Sequence, residues 1–288
     1  MGEAASDGAG SEAGEELSGW PVDHATGSWM SLGDSGPRWT GGDAERVYKW
    51  ASVTKLATSL AVLVAVEEGT LALDEVVLGE DVTVAHLLSH AGGLAPDGAP
   101  SRLAVPGARR IYSNSGYELL GEALGTRAGM AFGEYLAEAV LAPLGLERTT
   151  FKGSPAGGLR GPIVDLMAFA AELMRPTLIS EETSSLSKTV AFPGIDGVLP
   201  GFGQQRPCDW GLGPEIRGHK DPHWMPAECD PSSYGHFGRS GSFLFVDPVR
   251  GLACGALADR DFGGWAAQAW PRFGSAVLRD WQRVSSPG

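Results

Sequence analysis

The stretch of residues 52–68 constrains the fold of this chain more than any other, because its apolar side chains occupy nearly every face of a helix. Gly69 follows as a C-terminal stop signal. A helix that is apolar all round must be covered on all sides by other elements. With 288 residues and 43% hydrophobic composition, the chain can bury such a helix in one large domain or two closely packed ones.

Strand and helix signals occupy different parts of the chain. Short apolar pieces between Gly, Pro and Asp turns predict strands at residues 20–50, and the stretches GSFLFVDP and LACGALAD predict two paired strands near the C-terminus. Loops with one short strand at 210–215 are predicted over 189–231. Helices are predicted at 82–89, 115–128, 132–141, 162–174 and 264–283.

Strands at both chain ends with helices between them predict an α+β fold, in which an antiparallel sheet joins distant parts of the chain. We expect a disordered acidic tail at residues 1–18 and one domain at 19–288. Within that domain, 19–69 and 232–288 form the sheet region, and 70–231 form a helical and loop region.

Charge and composition exclude several kinds of partner. The net charge of −13 repels phosphate backbones and anionic lipid surfaces, so nucleic acid and membranes are not expected as partners. The N-terminus lacks the basic and apolar parts of a secretion signal, which favours a cytoplasmic location. The three cysteines lack metal-ligand or redox spacing, so we expect free thiols, no metal and no cofactor.

A serine and a lysine stand at the start of the apolar helix. Ser52 and Lys55 are three residues apart, so one helical turn brings the hydroxyl beside the amine. The positive end of the helix dipole and burial both lower the pKa of a lysine at this place, and a neutral amine can accept the hydroxyl proton. The alternative is that Ser52 only caps the helix while the Lys55 amine reaches solvent.

The same spacing recurs at Ser185 and Lys188, where the following sequence TVAFPGIDG cannot continue a helix. A lysine solvated in a loop is therefore expected there.

The stretch IYSNSGY adds a tyrosine and an amide. Asn114 is the only asparagine in the chain and lies two residues after Tyr112, so both side chains can face one cleft. A tyrosine beside a lysine ammonium can have its pKa lowered toward the range of a base. The alternative is a Ser-Asn turn with a tyrosine in the core.

A third group of residues precedes the strand GSFLFVDP. His236, Phe237 and Gly238 lead into it, so that the backbone N–H of Arg239 can point at a substrate oxygen. The alternative is a histidine packed at the strand end. His90 in HLLSHAGGL has the same His-x-Gly pattern, but no strand follows, and we expect its ring to be satisfied by backbone.

Together and in this order, these motifs resemble those of the serine β-lactamase and penicillin-recognising superfamily, especially its class C and family VIII esterase branch. The flanking stretches EEGTLALDEVV, HLLSHAGGL, LAPLGLERTTF and FLFVDPVRG also resemble that superfamily. The matches are Ser-x-x-Lys at Ser52 and Lys55, Tyr-x-Asn at Tyr112 and Asn114, and His-x-Gly at His236 and Gly238.

The resemblance implies a β-lactamase-like fold with the active site between the sheet region and the helical region. It implies that Ser52 attacks an ester or amide carbonyl and that Lys55 and Tyr112 move its proton. The N–H groups of Ser52 and Arg239 would hold the tetrahedral oxyanion, while Asn114 and His236 would contact the substrate. Which of the two proton carriers is the base in each step stays open, because coupled groups titrate together.

Two departures from the β-lactamase pattern affect the substrate. Where β-lactamases have Lys-Thr-Gly, this chain has His236 and Phe237 before the glycine, which removes groups that bind a carboxylate. The leading hypothesis is therefore a cytoplasmic serine esterase or acyltransferase that acts on a small ester or amide. The alternatives are a β-lactamase or D-alanyl peptidase, and a catalytically idle binding protein. Trp210, Trp224 and Phe237 are candidates for an acyl pocket, and the oligomeric state stays open.

Overall fold

A computed structural model describes residues 11–285 of the chain. It contains eight α-helices within those residues. They are α1 (Glu12–Ser18), α2 (Thr54–Glu67), α3 (Val84–Leu88), α4 (Asn114–Ala128), α5 (Phe132–Leu136), α6 (Ile163–Met174), α7 (Glu181–Ser187) and α8 (Gly264–Ser285). A 3-10 turn, Ala51–Val53, leads into α2, and a π-helical turn, Ala137–Leu141, continues α5.

The strands form one large sheet and three small ones. They are β1 (Ala25–Ser31), β2 (Trp39–Gly41), β3 (Tyr48–Lys49), β4 (Val76–Leu78), β5 (Val82–Thr83), β6 (Thr150–Phe151), β7 (Leu159–Gly161), β8 (Gly197–Leu199), β9 (Gly203–Gln205), β10 (Glu215–Ile216), β11 (Tyr234–Gly238), β12 (Ser242–Asp247) and β13 (Leu252–Ala258). The large sheet has six strands in the order β10-β11-β12-β13-β1-β2. All of its pairs are antiparallel.

The large sheet separates two apolar clusters. On one face, α1 and α8 cover aromatic side chains of the strands that include Trp29, Phe243 and Phe245. On the other face, α6 covers β1, β12 and β13 and joins the sheet to the helical region. The alternation of side chains along each strand supplies both faces with apolar groups, which is typical of a sheet buried on both sides.

Helix α2 lies at the centre of the helical region, as its sequence predicts. All of residues 54–63 are buried, and α4, α5 and the π-helical turn surround the helix. Its two interior hydroxyl residues have partners, since Thr58 donates to the Pro155 carbonyl at 2.7 Å and the hydroxyls of Ser59 and Tyr117 lie 3.0 Å apart. The polar groups of a fully covered helix are thereby satisfied.

The predicted α+β class is confirmed, and β1 pairs with β13 over seven residue pairs, so that both chain ends share the sheet. The paired strands at β12 and β13 and the five predicted helices are present with small shifts of their ends.

The predicted boundary between the sheet region and the helical region, at residue 69, is wrong for α2, which packs in the helical region. Strand β10 joins the large sheet from within the segment predicted as helical and loop region.

The predicted disordered tail is wrong from residue 12 to residue 18, which form α1. Ser11 caps this helix, and Ala13 and Leu17 are buried. The Asp280 carboxylate on α8 accepts the backbone N–H groups of Glu12 and Ala13 at 3.2 and 3.0 Å. This docking on α8 provides the stability that so short a helix lacks alone. Residues 1–10 of the predicted tail lie outside the described residues.

Within residues 11–285, no helix has the length and apolar character needed to cross a membrane.

Candidate active site

The 3-10 turn before α2 holds Ser52 at the edge between the two regions, where it is half-buried. Ala51, directly before it, has a φ of +45°, in the left-handed region that residues with a side chain rarely adopt. Backbone strain of this kind costs of the order of 1 to 3 kcal/mol and persists where the surroundings impose it. The turn therefore presents the Ser52 hydroxyl in an orientation that a regular helix would not give.

The end of β11 packs against this turn. A Cβ atom on Gly238 would lie 2.3 Å from the Ser242 hydroxyl and 2.5 Å from the Trp50 carbonyl, so only glycine fits there. The Ser242 hydroxyl donates to the same Trp50 carbonyl at 2.8 Å. These contacts bring Arg239, the residue after the strand, next to the turn that carries Ser52.

Lys55 lies on the first turn of α2 and is fully buried. Its Nζ donates to Asn114 Oδ1 at 2.6 Å and to the Ala156 carbonyl at 2.8 Å, and Ser52 Oγ lies 3.4 Å away. Burial lowers the pKa of Lys55 to about 7, while the carboxylates of Glu118 and Asp97 oppose this shift. The lowered pKa agrees with the prediction from sequence, and about half of the amine is neutral near pH 7.

Tyr112 and Asn114 flank this lysine, as the sequence predicts for one cleft. The Tyr112 ring centre lies 4.8 Å from Lys55 Nζ, and the Ser52 side chain is the neighbour that acts to lower the pKa of its hydroxyl. The expected lowering of the tyrosine pKa is wrong, because burial raises the pKa of Tyr112 by more than the Ser52 side chain lowers it. Asn114 begins α4 and donates from Nδ2 to Asp97 Oδ1 at 2.8 Å, which orients its carbonyl toward Lys55.

His236 lies on β11 with its ring centre 5.9 Å from that of Tyr112. Its Nδ1 lies 2.7 Å from the Phe237 carbonyl, which can only accept, so Nδ1 carries the proton. Burial and the nearby Lys55 lower the pKa of His236 to about 3. The ring is therefore uncharged at neutral pH, and no cationic side chain stands at this motif position.

The remaining predicted site residues are divided between the two faces of β11. Phe237 points away from His236 and packs in the aromatic cluster under α8, at 5.7 Å from both Trp224 and Trp270 between ring centres. Trp210 lies on the Tyr112 side, 6.1 Å from that ring. The Arg239 side chain is exposed and its guanidinium lies 3.8 Å from Asp261. Of the acyl-pocket candidates, only Trp210 lies beside Tyr112.

The second Ser-x-x-Lys match has a different environment. Ser185 is exposed on α7, and the amine of Lys188 donates to Ser184 Oγ at 2.7 Å. The expectation of a solvated loop lysine is wrong, because burial lowers the pKa of Lys188 and its amine lies 5.3 Å from the centre of the Tyr234 ring.

Two contributions to the site were missed from sequence. The Ala156 carbonyl, which holds Lys55, comes from a loop between β6 and β7 and carries no residue-type signal. His90, expected only as a loop histidine with a backbone partner, does receive the Ser113 N–H at 3.2 Å, but its ring also packs against Tyr112 at 4.5 Å. Its location in HLLSHAGGL, a stretch that resembles the superfamily, was the available signal.

The arrangement provides a hydroxyl nucleophile beside an amine that can exist in its neutral form. The Tyr112 phenol, which can also carry a proton, lies close enough to Ser52 for that side chain to affect its pKa. These are the elements of a serine nucleophile with an adjacent base. Within residues 11–285 there is no cluster of three or more His, Cys, Asp or Glu side chains that could hold a metal ion.

The fold and this site define a protein of the β-lactamase-like serine hydrolase class. The Beta-lactamase family model matches residues 19–278, and the chain belongs to that family.

Solved structures similar to this chain include a β-lactamase from Mycobacterium bovis. It is 45% identical, the alignment covers 93% of this chain and 99% of that one, and the TM-score is 0.91. EstCE1, described as a hydrolase with promiscuous acyltransferase activity, is 17% identical over 92% of this chain and 98% of its own, with a TM-score of 0.77. At that identity the likeness shows the fold alone.

A curated relative is the D-alanyl-D-alanine-carboxypeptidase/endopeptidase AmpH of Escherichia coli strain K12. It is 26% identical over 147 residues, and the match covers 38% of this chain and 38% of the relative. The match thus spans little more than a third of the curated relative's length.

Proposed function

We propose that this protein is a serine esterase or acyltransferase that forms an acyl-enzyme on Ser52 from a small uncharged ester. The observation that carries the proposal is the buried Lys55 amine, which has a pKa of about 7 and lies 3.4 Å from the Ser52 hydroxyl. A base whose pKa is close to the working pH combines a large neutral fraction with enough basicity to accept a proton.

Acylation begins when Ser52 Oγ attacks the ester carbonyl carbon and its proton passes to the neutral Lys55 amine. The new bond is Oγ–C, and the carbonyl electron pair moves onto oxygen, which the N–H groups of Ser52 and Arg239 stabilise. When the oxyanion collapses, the C–O bond to the alcohol breaks and the alcohol oxygen receives the proton. Water or an acceptor alcohol then repeats these steps to release the acyl group.

Tyr112 acts as a neutral phenol in this scheme. Because burial raises its pKa, it does not start the reaction as a phenolate. Its hydroxyl can instead donate its proton to the leaving alcohol oxygen while it accepts the proton that Lys55 took from Ser52, so that both the phenol and the neutral amine are regenerated. The base in acylation is therefore Lys55, and Tyr112 transfers the proton to the alcohol.

Preference for an uncharged ester follows from the charges near the nucleophile. His236 is neutral, Phe237 lies in the core, and the Asp97 carboxylate is hydrogen-bonded to Asn114 at the site. A carboxylate on the substrate would lack charge-assisted hydrogen bonds worth about 1.5 to 3 kcal/mol each. Each missing bond corresponds to roughly a ten- to hundredfold loss of binding.

The second candidate function is β-lactam hydrolysis or D-alanyl peptide cleavage. It is favoured by the 45% identity to the Mycobacterium bovis β-lactamase and by the match to AmpH. Both of these functions would require the site to accept a substrate carboxylate, which the side chains on β11 do not assist.

The test compares two esters that differ in charge. We expect p-nitrophenyl valerate to be hydrolysed with a kcat/KM at least tenfold above that of mono-p-nitrophenyl glutarate, in which a carboxylate replaces the terminal methyl group, after correction for uncatalysed rates. Nitrocefin should be hydrolysed more slowly than p-nitrophenyl valerate, and Ser52→Ala should abolish all turnover.

Faster turnover of nitrocefin than of the neutral ester would overturn the proposal in favour of a β-lactamase. Absence of turnover and of any covalent adduct would support a catalytically idle scaffold.

A further inference from the structure

His90 contacts the segment around Tyr112 in three ways. Its backbone carbonyl accepts the N–H of Ile111 at 3.0 Å, and its ring Nδ1 accepts the N–H of Ser113 at 3.2 Å. Its ring lies 4.5 Å from the Tyr112 ring between centres. One residue therefore holds the backbone on both sides of Tyr112 and also packs against its side chain.

This set of contacts requires a neutral ring. Because Nδ1 accepts from the Ser113 N–H, the single proton of the imidazole is on Nε2. An imidazolium would place an N–H against another N–H and break the contact. Burial is the main cause that lowers the pKa of His90 well below its usual value, so the ring keeps this form at neutral pH.

His90 itself is fixed by its surroundings. It follows the end of α3, where the Arg110 guanidinium donates to the Ser89 carbonyl at 2.6 Å and the Tyr117 hydroxyl donates to the Leu88 carbonyl at 3.0 Å. Its φ of +56° lies in the left-handed region. A non-glycine residue in that region points to a constraint that the fold maintains.

Tyr112 has little other support from secondary structure. It lies between α3 and α4, in a segment that belongs to no helix or strand. Its side chain is otherwise bordered by Trp210 and His236, at 6.1 and 5.9 Å between ring centres. A shift of about an ångström in such a group is enough to lower a rate by about a hundredfold.

We propose that His90 is a positioning residue that holds the Tyr112 hydroxyl beside Ser52 through its hydrogen bonds to the neighbouring backbone and its ring contact. This inference rests on the proposed function, since it assigns His90 a part in Ser52 acylation. The inference goes beyond the proposed function because it predicts that His90, which does not touch the nucleophile, affects the reaction rate.

Two substitutions of His90 test its hydrogen bond to the Ser113 N–H and its ring contact with Tyr112 separately. His90→Asn keeps an acceptor at the position of Nδ1 and suits a positive φ, but removes the ring. His90→Phe keeps a ring of similar shape and removes the acceptor for the Ser113 N–H. We expect His90→Phe to lower the rate constant for labelling by a fluorophosphonate about tenfold or more at unchanged half-saturation, and His90→Asn to retain at least a third of the rate.

The decisive experiment repeats His90→Phe in a Tyr112→Phe background. If His90 acts through the Tyr112 hydroxyl, adding His90→Phe to the Tyr112→Phe variant should change that variant's labelling rate by less than twofold. Circular dichroism and thermal unfolding establish that each variant is folded, and His90→Ala replaces His90→Phe if the latter is not.

Equal rate losses in the two backgrounds, or no loss in the folded single variant, would overturn the inference while leaving the proposed function intact. A wild-type protein that takes no label at Ser52 would instead refute the proposed function and this inference with it.

Discussion

Replacement of Asn114 by aspartate tests the function of Lys55 as the base. Asn114 Oδ1 accepts from Lys55 Nζ at 2.6 Å, so Asn114→Asp places a carboxylate against the amine with almost no change of shape. An opposite charge within hydrogen-bonding distance stabilises the ammonium form. The pKa of Lys55, about 7 in the unaltered protein, should therefore rise.

The size of the effect follows from the neutral fraction of the amine. A carboxylate at this distance raises a pKa by about 1 to 3 units, so the neutral fraction at pH 7 falls from about one half to between a tenth and a thousandth. Acylation at pH 7 should slow by roughly 5- to 500-fold. The loss should shrink as the pH rises through the new pKa, because the amine then loses its proton again.

The assay is the pH dependence of kcat/KM for p-nitrophenyl valerate, which reports the ionisations of the free enzyme. We expect an ascending limb near pH 7 for the wild type and at pH 8 or above for Asn114→Asp. Because the substitution also removes the donor to Asp97 Oδ1, the double variant Asn114→Asp/Asp97→Asn restores a donor and should still show the shifted limb. A loss of rate that is equal at every pH would refute Lys55 as the base.

Three further outcomes follow from the site and its support. Lys55→Arg should lower kcat by about a hundredfold or more in the same assay, because a guanidinium cannot become neutral at this pH; near-wild-type turnover would contradict it. Gly238→Ala should lower kcat and should also lower the free energy of unfolding in urea by about 1 to 3 kcal/mol, because a Cβ would lie 2.3 Å from Ser242 Oγ. An unchanged kcat and an unchanged free energy of unfolding would show that β11 can move to accept the methyl group. Glu215→Gln should cost about 3 to 5 kcal/mol in urea unfolding, since it leaves the Lys220 amine buried without the carboxylate 3.2 Å away. The pKa of Glu215 is lowered to about 2, so its contribution is present above about pH 4.5 and the difference between the proteins should shrink toward pH 2.

The parts of the site that depend on local periodicity could be predicted from sequence. The helical spacing of Ser52 and Lys55 and the burial of α2 both follow from a period of 3.6 residues. Alternation along a strand also implies that His236 and Phe237 face opposite sides, so the sequence already argues against predicting substrate contact for His236 and an acyl pocket lined by Phe237 together.

Contacts between distant segments could not be predicted in this way. His90 reaches Tyr112 only because the end of α3 packs against the segment before α4, 22 residues later in the chain. Helix α1 is stable because Asp280 accepts its first N–H groups. The expected lowering of the Tyr112 pKa by the Lys55 ammonium fails for a similar reason, since burial by surrounding elements is the largest influence on that pKa and raises it.

Peptide mapping after reaction with a fluorophosphonate tests the central claim most directly. The serine oxygen displaces fluoride from phosphorus, and the serine proton leaves with it, so the adduct marks the activated hydroxyl. We predict one adduct per chain on the peptide that contains Ser52, and no adduct in Ser52→Ala. An adduct on the peptide that contains Ser184 and Ser185, or labelling that survives Ser52→Ala, would contradict the account.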